Sequence, residues 1–122
     1  MILADTSVWA DHLRRADALM SACLDVQEIV MHPFVIGELA MGTMPRYEAV
    51  LSSLTNLQQI EVARPDDVLH LIRKHRLMGT GIGYVDAHLL ASTRLVPGTQ
   101  LWTRDRRLLR AAEFLGIASA LS

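Results

Sequence analysis

What most constrains the fold of this chain is the alternation of short apolar runs with longer stretches whose apolar residues recur at helical spacing. Ile2-Leu3-Ala4 reads as a first strand, Glu28 to Met31 as a second, Gln59 to Val62 as a third and Gln100-Leu101-Trp102 as the last. Asp5-Thr6-Ser7 turns the chain and caps a helix running to about Leu24, with Val8, Trp9, Leu13, Ala16, Met20 and Cys23 along one stripe. Pro33 stands where a helix best tolerates proline, at its first position, and that helix continues to about Met41 before Gly42 ends it. Pro45 and Pro65 open two more helices, one carrying Tyr47, Val50, Leu51 and Leu54, the other Val68, Leu69, Ile72 and Leu77. Three glycines in five positions make 79–83 a loop. A helix follows from Tyr84 to about Thr93, then a turn at Pro97-Gly98, and finally a helix from about Arg104 to Leu115 that Gly116 terminates. Strands separated by helices in this order predict an α/β fold with a mainly parallel sheet, made as one domain from residues 1–122.

With hydrophobic residues at 51% and charged residues at 20%, the chain is neither disordered nor held together by charge. The apolar share is slightly high for this length and leaves some surface for a partner. No window approaches the run of about 20 apolar residues that a membrane helix requires. The first residues carry no Lys or Arg and reach an acid at Asp5, unlike a signal peptide. Cys23 is the only cysteine and reads as a small buried hydrophobe in a reducing compartment. The expected location is therefore the cytosol, with no membrane contact. The net charge of -1 hides an asymmetry: residues 1–61 hold eight acids against three arginines, and residues 62–122 hold five acids against one lysine and eight arginines. Such polarity can set a basic wall beside an acidic pocket.

Four acids fall at informative places. Asp5 closes the first strand and Asp105 follows the last by three positions, so both reach the rim beyond the strand ends where open parallel sheets bind ligands. Glu38 lies between Val35 and Leu39 on the side expected to face the sheet. Asp86 shares a helix face with Ile82, Leu89 and Leu90. Each has a local explanation as well: an Asx turn or cap for Asp5, a third helical position after a Gly83 cap for Asp86, a first-turn acid after a Thr103 cap for Asp105, and a salt bridge or exposure for Glu38. Together they repel one another unless a cation sits between them.

Hard oxygen donors without a histidine or cysteine cluster suit Mg²⁺ or Mn²⁺, and the spacing of His12, His32, His70, His75 and His88 matches no zinc motif. His88, two residues after Asp86, is expected to point elsewhere and to be exposed or loosely packed. A carboxylate cluster holding divalent ions hydrolyses phosphodiesters without a covalent intermediate. Thr6, Ser7 and Thr103 are near enough in sequence to orient water or phosphate, and equally well placed to cap helices. The pattern differs from a receiver domain, which needs an acidic pair after its first strand and a late lysine, and from an Asp-x-Asp phosphatase, since Ser7 occupies the second position. The 79–83 loop lacks the Gly-Lys-Ser/Thr ending of a P-loop.

Four ordered segments carry a family resemblance: Met1-Ile-Leu-Ala-Asp-Thr-Ser-Val-Trp-Ala-Asp-His-Leu, Val35-Ile-Gly-Glu-Leu, Gly81-Ile-Gly-Tyr-Val-Asp-Ala-His-Leu-Leu-Ala and Leu101-Trp-Thr-Arg-Asp-Arg-Arg-Leu. They resemble the PIN-domain toxins of VapBC toxin–antitoxin pairs, across essentially the whole chain. The resemblance implies a three-layer α/β/α sandwich and an acidic pocket for Mg²⁺ or Mn²⁺, with Asp5, Glu38, Asp86 and Asp105 at the family's metal-site acids and Thr6 and Thr103 at its supporting hydroxyls. It further implies an endoribonuclease of structured RNA, often transfer RNA or a ribosomal RNA loop. Such a protein is usually a homodimer, silenced by a VapB-like antitoxin in a heterotetramer or larger assembly that reaches operator DNA only through the antitoxin. Many relatives have a further acid where this chain has Arg107, which bears on a second metal; Arg104, Arg106 and Arg107 are candidate RNA contacts, or simply solvate the last helix. The alternative is a scaffold that binds RNA or antitoxin without cutting. The apolar stripes around Trp9, Leu13 and Met20, and around Tyr47, Val50 and Leu54, are read mainly as core and secondarily as partner surfaces.

Overall fold

The computed structural model describes residues 1–122. Three short strands, β1 (Ile2–Ala4), β2 (Ile29–Val30) and β3 (Gln100–Trp102), lie parallel in the order β2-β1-β3. Leu3 pairs with Val30 on one side and Leu101 on the other, and Ala4 pairs with Trp102. Leu3, Ala4, Leu101 and Trp102 are buried, as expected of a parallel sheet covered on both faces. Seven helices flank it in a three-layer α/β/α arrangement: α1 (Thr6–Arg14), α2 (Ala18–Asp25), α3 (Pro33–Ala40), α4 (Tyr47–Thr55), α5 (Pro65–Lys74), α6 (Tyr84–Leu95) and α7 (Arg106–Phe114). No helix is long and apolar enough to cross a membrane.

Several boundaries differ from the sequence reading. The expected helix to Leu24 is two helices, because Arg15 is extended and Asp17 caps a new one, accepting a hydrogen bond from the Met20 amide at 3.0 Å. An aspartate that captures a backbone N–H offers the chain an alternative to continuing the helix. The strand expected at 59–62 is reduced to one bridge, in which the Met31 amide donates to Gln58 O and the Ile60 amide to Met31 O, each at 2.8 Å. Pairing stops there because β2 itself ends. The helix expected from Pro45 begins at Tyr47, after Arg46 in a left-handed conformation, and the last helix begins at Arg106 rather than Arg104. Beyond α7, Ile117 and Ser119 hydrogen-bond to Leu101, extending the sheet at a place where the sequence suggested nothing.

The two apolar stripes face each other. Trp9 and Leu13 of α1 and Val50 and Leu54 of α4 line a cavity of about 300 Å³. Trp9, Met20 and Leu54 are core residues, and the Tyr47 hydroxyl donates to Ala40 O, tying α4 to α3.

His88 corrects the expectation of loose packing. It is 2% exposed, because α6 is enclosed along Ala87 to Thr93 and no face of that stretch is left to solvent; His32, before α3, is fully buried as well.

Candidate active site

Asp5 stands at the end of β1, where its amide donates to Trp102 O at 3.0 Å, and it caps α1 by accepting from the Val8 amide at 3.2 Å. Its carboxylate is buried at 3% exposure and also accepts from the hydroxyls of Ser7 and Thr103. Burial raises its pKa, and these donors pull against the rise by stabilising the ionised form. The capping reading of Asp5 therefore holds, but the cap uses one oxygen while the other turns to Thr103.

Thr103 is fully buried and joins two acids through one hydroxyl, which donates to Asp5 Oδ2 and accepts the Asp105 amide at 3.0 Å. Asp105, and not Thr103, caps α7: its Oδ1 accepts from the amides of Arg107 and Leu108, both at 2.9 Å. Across the pocket, Thr6 Oγ1 donates to Glu38 Oε1 at 2.5 Å. Glu38 is exposed rather than facing the sheet, at the edge of a cavity of about 450 Å³ that Thr6, Leu13, Arg14 and Pro45 also line. Ser7 does more than cap, since it donates to Asp5 and accepts the Arg104 amide at 3.0 Å. Its position two residues after Asp5 was the available signal for that role.

Asp86 is the third residue of α6, where the Gly83 amide favours its charge, so its local explanation also holds. Its pKa is nevertheless raised to about 6, first by burial and then by the negative charges of Asp5, Asp105 and Glu38. Three chain segments far apart in sequence thus act on one carboxyl, and no cationic side chain offsets them. No three His, Cys, Asp or Glu side chains are grouped tightly enough to hold a metal ion directly. The donor chemistry still fits a hard divalent cation that keeps its water: Mg²⁺ commonly takes one or two carboxylates and several waters.

The three candidate RNA arginines part company. Arg104 is a clamp, with Nη1 at 2.7 Å from Asp11 and Nη2 at 2.6 Å from Asp17, and its guanidinium 5.7 Å from the Trp102 ring centre. It ties α1 and the cap of α2 to the end of β3, and the Asp11 and Asp17 carboxylates raise its pKa. Arg106 is exposed. Arg107 lies across Gly81, whose φ of +90° and missing side chain allow the contact; a Cβ there would stand 2.7 Å from Arg107 Cδ.

The description PIN domain matches residues 2–114. Two curated relatives, both named Ribonuclease VapC32 and from Mycobacterium tuberculosis strains CDC 1551 / Oshkosh and ATCC 25618 / H37Rv, are each 50% identical over 120 residues, 98% of this chain and 97% of theirs. A match over nearly the full length at this identity means that this chain belongs to the PIN-domain family and, within it, to the VapC-type proteins.

Proposed function

We propose that residues 1–122 form one nuclease domain that hydrolyses phosphodiester bonds in structured RNA, with Asp5, Glu38, Asp86 and Asp105 holding Mg²⁺ or Mn²⁺. The observation that carries this reading is that Asp86, raised to about 6 first by burial, also feels the negative charges of Asp5, Asp105 and Glu38, acids from three distant segments whose combined field favours a divalent cation. The relatives' name, ribonuclease, supports RNA as the substrate. When bound, the ion activates water and neutralises charge on the phosphate.

The chain's own residues prepare the pocket. Hydrogen bonds from Ser7, Thr103 and the Val8 amide oppose the rise that burial imposes on the Asp5 pKa, and Thr103 also holds the Asp105 backbone in register with it. Thr6 orients Glu38 from the first turn of α1. Burial and neighbouring charge raise Asp86 to about 6, within reach of a proton in mildly acidic solution. With both hydroxyls bound to carboxylates, Thr6 and Thr103 act as positioning residues.

On the same reading the protein is the toxin of a toxin–antitoxin pair, its partners being a VapB-like antitoxin, an RNA such as a transfer RNA or ribosomal RNA loop, and a second copy of itself. Sequencing of newly formed RNA ends after controlled expression, beside Asp5→Asn, tests the activity and its site together. Discrete new ends with the parent chain, gone in Asp5→Asn and after chelation of purified protein, are the expected result. An unchanged set of ends in the variant overturns the proposal.

A further inference from the structure

A second feature lies beyond the acids, where the end of α5, the 79–83 loop and α7 enclose a cavity of about 380 Å³. Arg76, Arg107 and Arg110 line it together with His75, Thr80 and Phe114. We propose that this cleft binds the backbone of single-stranded RNA, its arginines taking phosphates and Phe114 a base; the proposal rests on the ribonuclease reading.

The cations there are uncommitted. All three ion pairs of the chain use Arg14 or Arg104, so none neutralises Arg76, Arg107 or Arg110. Arg107, Arg110 and Phe114 stand at i, i+3 and i+7, one stripe of α7, while Leu108, Ala111 and Ala112 are buried. Like charges at such spacing destabilise a helix, so packing alone does not favour the arrangement. Phe114 is 72% exposed and its ring stands edge-on to His75 with centres 6.2 Å apart. An open aromatic face beside planar guanidiniums suits a stacked base and its phosphates better than it suits an acidic peptide, which has nothing to stack.

Arg107 connects this cleft to the acids. Its side chain packs on Gly81, three residues before α6 and five before Asp86, while its amide donates to Asp105 at 2.9 Å. An acidic pocket repels RNA, so a strand needs cationic anchors beside the place where it is cut. The sequence reading named Arg107 alone of these three; Arg76 and Arg110 join it through the fold.

The test uses Asp5→Asn protein, which keeps the cleft, and a fluorescent single-stranded RNA of about ten nucleotides, within the usual span of such sites. Anisotropy is read over a range of salt. Arg76→Ala and Arg110→Ala should each weaken binding several-fold and lower the slope of log affinity against log salt by roughly 0.7. Arg110→Lys should restore the slope, and Phe114→Ala should weaken binding roughly tenfold while Phe114→Trp retains it. Wild-type affinity and slope in both alanine variants at the arginines would overturn the proposal. So would their losing binding to a polyglutamate peptide while RNA binding is unchanged, which assigns the cleft to an acidic protein. Chelator-sensitive cleavage by the parent, absent in Asp5→Asn, judges the ribonuclease reading separately, whichever way the arginine variants behave.

Discussion

Helix α3 begins after His32 and carries Glu38, while α6 carries Asp86 and His88, so the same two helices contribute to both an acidic pocket and a buried histidine pair. Asp86 and His88 are two residues apart and point about 200° from each other around the helix. Burial acts on both sites with opposite sign, raising Asp86 to about 6 and lowering His32 to about 4, the latter helped by the nearby His88. The two rings are centred 6.3 Å apart, and Phe34 and Tyr84 pack edge-on against His88. His32 Nδ1 accepts the Phe34 amide at 3.0 Å, but His32 Nε2 and His88 Nδ1 are buried without partners. A histidine meets burial by staying neutral and serves as structure. Asp5 and Asp105 are instead met by hydroxyl and amide donors, while Asp86 is buried facing three other acids, an arrangement for chemistry rather than for stability.

The largest test of that contrast is Asp5→Asn. RNA cleavage should fall about 10²- to 10³-fold, the scale of losing one preorganised charged group, while circular dichroism stays that of a folded protein. A comparable fall in His88→Phe, which keeps the volume and aromatic packing, would erase the distinction between the two regions.

Next comes pH. His32 goes from 6.5 unfolded to about 4 folded, so the stability it contributes is present above pH 6.5 and lost as pH falls through 4, about 3 kcal/mol in all. Asp86 goes from 3.8 to about 6, so its contribution is present below 3.8 and lost as pH rises through 6, by a similar amount. The two offset each other between pH 4 and 6 in the parent. Urea unfolding should therefore show a greater loss of stability on acidification from pH 6.5 to 4 in Asp86→Asn than in the parent, by about 2 kcal/mol. A flat variant would mean that His32 is not held neutral.

At pH 7.5 the same variant should be more stable than the parent by about 2 kcal/mol, since it removes a disfavoured charge. Mg²⁺ should raise the melting temperature of the parent and leave that of Asp86→Asn nearly unchanged. Equal gains in both would detach the metal from this pocket.

Much of the scaffold was legible in the sequence because its signals are local. Pro33 and Pro65 open α3 and α5, the apolar runs at 2–4 and 100–102 are strands, and the last helix ends before Gly116 in a left-handed conformation. Contacts that join distant positions were not legible. Arg104 reads as a surface cation until the fold brings it to Asp17, 87 residues away, and the break before α2 rests on that same aspartate. His88 was misjudged because helical spacing shows which way a side chain points but not whether that direction is also interior. The four acids were singled out by their positions after strands and on helices, whereas the influence of Asp5, Asp105 and Glu38 on Asp86 required the fold.

The smallest effect concerns the clamp outside both regions. Arg104→Ala should lower the melting temperature by roughly 5 °C, and less in 1 M salt, with the pKa of His32 unmoved. A shift at His32 would show that the regions are coupled through the chain's frame.

The most direct test of the central claim is an NMR titration of the Asp86 carboxyl in the parent, in Asp5→Asn and in the parent with Mg²⁺. Titration near pH 6 in the parent, falling in Asp5→Asn and falling again when Mg²⁺ is added, is the predicted result. An Asp86 that titrates near 4 and responds to neither change would contradict the sharing of one pocket by these acids.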